Sequence, residues 1–113
     1  MPKTVPLFQS AQATANAAGV AIAVMGPYQA FETWQTQTVT VQSTSSTLVP
    51  RAAHYRGQQA PSRLINGTEA GMFDTDPDFK LLLQSGEQFV TVWENCDVGA
   101  QCTVIVTGEK TVG

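Results

Sequence analysis

The sequence predicts an all-β fold: an antiparallel β-sandwich or jelly roll of about seven to eight short strands, preceded by an extended N-terminal arm. Three observations carry this expectation. Short runs rich in Val, Ile, Thr and aromatic residues recur at intervals of roughly 8–12 residues. Turn dipeptides bearing Gly or Pro separate the runs. No segment sustains the 3.6-residue apolar period that a helix needs to bury one face.

Taken in order, residues 1–19 hold two prolines and many small side chains without a sustained period. "SAQATANAAG" has a cap at Ser10 and a stop at Gly19 that suit a helical turn or two, but an extended arm fits the stretch better. "VAIAVM" is a β-branched run stopped by Gly26-Pro27. "WQTQTVTVQST" alternates, with Gln35, Gln37, Val39 and Val41 on one face and Trp34, Thr36, Thr38 and Thr40 on the other. Neither face is strongly apolar, which places this strand near an edge or beneath an interface. "STSST" reads as a loop, "RAAHYRG" as a strand ending at Gly57, "QQAPS" as a turn, and "RLING" as a short strand closing in Asn66-Gly67. After the acidic loop "GMFDTDPD" come "FKLLLQ", a Ser85-Gly86 turn and "QFVTVWEN". "CTVIVTGE" closes the series, Cys102, Val104 and Val106 facing one way and Thr103, Ile105 and Thr107 the other. Trp34 and Trp93 are the expected core anchors, since large apolar area counts most in a thin two-layer core. No repeat or linker divides the 113 residues. The expected organisation is an arm over 1–19 and one sandwich domain over 20–113.

Composition narrows the function classes. Six Lys+Arg against nine Asp+Glu give a net charge of −3 with no basic cluster, which argues against binding nucleic acid through its phosphates. No apolar run reaches the roughly 18 residues of a membrane-spanning helix. "VPLFQSAQATANAAG" is too polar for the core of a signal peptide, so the chain reads as unexported. Charged residues make up 13% of the chain, against roughly 25% in an ordinary soluble domain, and Thr, Gln, Ser and Ala stand in their place. Such a surface is either covered by neighbouring subunits or simply neutral.

The motifs that carry chemistry are few. In "ENCDVGAQC" a five-residue loop separates Cys96 from Cys102. If the two flank a hairpin, their Cα atoms lie about 4.5–5.5 Å apart, within the range of about 4.4–6.8 Å that a disulfide accepts. The alternatives are a local disulfide or two buried thiols. C-x5-C is neither the redox spacing nor, with one distant histidine, a zinc site. Asp74, Asp76 and Asp78 resemble the start of a calcium loop, yet Phe79 stands where that loop needs Gly and Ser85 where it needs Glu. His54 has no nucleophile in an elbow motif beside it, and the glycines lack phosphate-loop spacing. The residues therefore predict no catalytic group, no metal and no cofactor.

The order of the segments resembles a group of small structural proteins of tailed bacteriophages, those infecting actinobacteria above all. "VAIAVMGP", "ETWQTQTVTVQSTSST", "HYRGQQAPSRLINGTEAGMFDTD" and "LLLQSGEQFVTVWENCDVGAQCTVIVTGE" carry the likeness across 20–108. Its motifs are turn glycines and core aromatics, and Cys96 and Cys102 depart from the pattern. The resemblance implies a non-enzymatic virion component, made in the host bacterial cytoplasm and assembled onto the particle. It points first to a capsid decoration protein that binds and cements the shell of the major capsid protein, with a homo-oligomer, a trimer first, as the expected state. On that reading the arm residues Pro2, Val5, Pro6, Leu7 and Phe8 make the contact, by adding a strand to a neighbour's sheet. The alternatives are a minor tail or collar protein, or a host-surface carbohydrate-binding module that stacks sugars on Trp34, Tyr28 and Tyr55.

Overall fold

Alternation of apolar side chains with Thr and Gln is the signature of a strand buried on one face, and the chain folds accordingly. The computed structural model describes residues 3–27, 29–57, 64–68, 73–76 and 79–113, among which every regular element is a strand. These are β1 (Lys3–Thr14), β2 (Ala21–Met25), β3 (Glu32–Ser43), β4 (Arg51–Arg56), β5 (Leu64–Thr68), β6 (Phe73–Asp76), β7 (Leu82–Leu83), β8 (Phe89–Glu94) and β9 (Gln101–Val112). They form two antiparallel sheets. The five-stranded sheet runs β1-β9-β3-β6, with β7 also paired to β3, and the four-stranded sheet runs β2-β8-β4-β5. Three strands of 12 residues, β1, β3 and β9, give the molecule a long axis of 50 Å against 23 and 22 Å.

The core lies between the sheets. From the five-stranded sheet it takes Leu7 of β1, Cys102, Val104 and Val106 of β9, and Trp34, Val39 and Val41 of β3. From the other it takes Ala21, Ala23 and Met25 of β2, Phe89 and Trp93 of β8, and Ala52 of β4. The many alanines leave space that Trp93 and Trp34, 0% and 3% exposed, occupy. Both tryptophans are the anchors the sequence predicts.

Several local expectations differ from what is found. The residues expected as an arm are extended, but 3–14 pair with β9 along their whole length, from Lys3–Val112 to Thr14–Gln101. Leu7 is fully inside the core, so the segment is an edge strand of the sandwich itself. The strand expected near an edge, β3, is interior: β9 pairs one side and β6 and β7 the other. Its mixed faces have a single cause. The register shifts between Thr36 and Thr38, so Gln37 is an extra residue that switches the inward set from Trp34 and Thr36 to Val39 and Val41. Opposite the bulge, a β-carbon on Gly108 would strike the Gln35 carbonyl and lie 2.9 Å from the Thr36 Cα, so only glycine lets β9 pass.

Cys96 and Cys102 do not flank a hairpin, because β8 and β9 belong to different sheets and residues 95–100 cross between them. Asn66-Gly67 is not a turn: β5 runs through both, pairing them with His54 and Ala53 of β4. Part of the acidic loop is strand β6, paired to β3. Pro2, Tyr28, Asp78 and the "QQAPS" turn lie outside the described residues.

Candidate functional site

Side chains that alternate out of the core in β1, β9 and β3 share the outer face of the five-stranded sheet, and registry arranges them in cross-strand rows. Thr4, Thr111 and Thr33 form one row, and Pro6, Glu109 and Gln35 the next. Phe8, Thr107 and Thr38 follow, then Ser10, Ile105, Thr40 and Thr75, then Gln12, Thr103 and Gln42. Hydroxyl pairs tie neighbours together: Thr4 with Thr111 at 3.2 Å, Thr40 with Thr75 at 3.0 Å, and Thr38 with Thr107. Glu109 is the one formal charge in these rows. The low charge of the whole chain is thus concentrated in one continuous neutral face, with Phe8, 70% exposed, at its free edge.

The residues singled out from sequence fall differently. Cys96 and Cys102 are free thiols, both buried, with sulfurs 3.9 Å apart and the Cys102 sulfur 3.3 Å from the Ser43 hydroxyl. Burial, then the neighbouring Cys102, pushes the Cys96 thiol up to about 12. Of the contact residues expected in the arm, Leu7 is buried, Val5 half-buried, and Pro6 and Phe8 exposed. Trp34 points inward and its indole N–H donates to the Glu32 carboxylate at 2.7 Å. It is no stacking platform for a sugar, and Tyr55 is half-buried. His54 is a core residue: its Nδ1 lies 2.9 Å from the Thr91 hydroxyl, and its ring stacks on Phe89 and meets the edge of Phe79. Among the described residues no three His, Cys, Asp or Glu side chains group as metal ligands do.

Two further features escaped the sequence reading. A cavity of about 420 Å³ opens between β1 and β2, lined by Gln9, Ala11, Met25, Glu32, Trp34 and Lys110. On the crossover between the sheets, Asp97 ties residues 95–100 to the loop over 45–48. Its carboxylate accepts the backbone N–H groups of Ser46 (2.8 Å), Thr47 (2.9 Å) and Leu48 (3.0 Å), while its own N–H donates to the Ser45 hydroxyl. Those donors, Thr47 first, hold the Asp97 carboxyl below its ordinary range. The polar face was half-legible, since Thr recurs at every second place from Thr36 to Thr40 and at every fourth place from Thr103 to Thr111; the bulge and the pairing of these strands were not.

No known family and no curated protein matches the sequence. Among solved structures the chain is similar to the crystal structure of Aeromonas hydrophila PliG, a periplasmic lysozyme inhibitor of g-type lysozyme. That similarity covers 93% of this chain and 86% of that one, at 10% identity and a TM-score of 0.46.

Proposed function

We propose that this protein is a non-enzymatic structural subunit that works by covering another protein surface with the outer face of its five-stranded sheet. The observation that carries the reading is that face: rows of Thr, Ser and Gln with one formal charge among them. A neutral face meets a partner without stranding a desolvated charge, which costs several kcal/mol per ion when unpaired. Its methyl and methylene groups supply apolar area, and its hydroxyls donate and accept as the partner requires. The resemblance in segment order supports one assembly: the head of a tailed phage, where the subunit decorates and cements the shell of the major capsid protein. A collar or tail ring is the alternative site in the same particle. The role needs no cofactor, and its location is the virion.

Co-sedimentation with empty heads of tailed phages of actinobacteria tests the reading. The wild-type chain pellets with the heads in a saturable manner. A chain that stays in the supernatant with heads, or that binds cell-wall glycan instead, overturns it.

A further inference from the structure

We infer that the free edge of β1 pairs with the same edge of a second copy, across a two-fold axis at Phe8, joining the two five-stranded sheets into one. The parity of the backbone groups carries the inference. The Ala15 N–H donates to the Ala100 carbonyl (2.9 Å) and the Ala15 carbonyl accepts from Gly99 (3.0 Å), so odd residues of this segment turn their backbone groups toward β9. Even residues of β1 then point theirs away from the sheet. Pro6, which has no N–H to give, occupies an even position, as that parity requires. On the far side of β9 the same alternation holds, the Thr44 N–H donating to the Gln101 carbonyl.

The outcome is a long strand whose outer edge, at Thr4, Pro6, Phe8, Ser10 and Gln12, has no strand beside it in its own sheet among the described residues. Natural edges of this length are guarded by charges, bulges or prolines, because an open ladder is a template for another strand. Here the even positions carry no charge and the β1–β9 register has no bulge. Pro6 is the single guard, and it selects the register. With the axis at Phe8, each Phe8 exchanges two hydrogen bonds with Phe8 of the second copy, and each Thr4 does so with Gln12. Pro6 falls opposite Ser10, where its carbonyl accepts the Ser10 N–H, so no outward N–H from Thr4 to Gln12 lacks an acceptor. The same axis brings the two Phe8 rings, each 70% exposed in the single chain, side by side on one face. This pairing uses the edge and the proposed shell contact uses the face, so neither inference depends on the other.

Sedimentation of the full chain, with two variants, tests the proposal. Ser10→Pro removes an outward N–H while leaving the bonds of β1 to β9 intact. It raises the dimer dissociation constant by at least about tenfold, since two interchain bonds are lost, with the circular dichroism spectrum unchanged. Phe8→Cys forms an intermolecular disulfide at the axis on mild oxidation, and Thr14→Cys does not. Should Ser10→Pro fail to fold, Phe8→Asp, at an exposed position, separates the copies by placing like charges opposite each other. A wild-type chain that sediments as a monomer or trimer overturns the proposal, as does a dimer unmoved by these variants or a cross-link at residue 14 in place of residue 8.

Discussion

Trp34 and Trp93 are both buried, yet their indole N–H groups fare differently. That of Trp34 donates to Glu32, itself 8% exposed, while that of Trp93 has no partner among the described residues. Trp34→Phe leaves a nearly buried carboxylate without its donor, whereas Trp93→Phe removes an unsatisfied donor along with the ring volume. Chemical denaturation should show Trp34→Phe costing about 1–3 kcal/mol more than Trp93→Phe. Cysteine reactivity follows from burial as well. With the Cys96 thiol pushed up to about 12, almost none of it is thiolate at neutral pH. Neither cysteine should react with a thiol reagent in the folded protein, and both should react once it is unfolded. Asp97 sets the acid limb. Its carboxyl is held below the unfolded value, so its stabilisation is full above the ordinary carboxylate range and is lost as pH falls through the folded value. Thermal unfolding of Asp97→Asn should therefore fall less steeply with acid than that of the wild type.

At the level of elements, β1 decides how the chain holds together. The sequence reading treats its residues as dispensable to the sandwich, but twelve registered positions and the buried Leu7 make it part of the core. Deleting residues 1–18 should abolish cooperative unfolding, which a thermal scan reads directly. The same contrast shows what sequence can and cannot carry. Strands β2, β8 and β9 are legible because each alternates cleanly or forms one β-branched run between turn residues, and β4 because Gly57 ends it. β1 is not legible in the same way, since its inward positions run Val5, Leu7, Gln9, Ala11 and Ala13, with only two sizeable apolar side chains, too weak a pattern for period two. β3 was read as one strand but its faces were misassigned, because a one-residue bulge is invisible until Gly108 is seen opposite Gln35 and Thr36. Residues 95–100 look like a hairpin loop in sequence because local sequence does not say which sheet the next strand joins. Of the candidate site, the Thr periodicity was visible in β3 and β9, but the rows exist only once β1, β9 and β3 lie side by side.

Over the whole molecule, the two sheets present different outer faces. The four-stranded sheet has apolar residues on its outer side as well: Ile22 and Val24 of β2 are exposed, while Val92 and Val90 opposite them in β8 are buried. The five-stranded sheet carries the neutral hydroxyl face, and its length follows from three strands of 12 residues. If that face is the working surface, one charge placed on it acts far more on binding than on the fold, because the loss of one cross-strand hydroxyl pair leaves the core untouched. The direct test compares Thr40→Lys and Thr107→Lys, on the face, with Val98→Lys, 70% exposed on the crossover between the sheets, in co-sedimentation with empty phage heads. Both threonine variants should keep the wild-type melting temperature within a few degrees and lose binding at least about tenfold, while Val98→Lys binds normally. Heads that retain the threonine variants as well as the wild type, or that lose Val98→Lys instead, would contradict it.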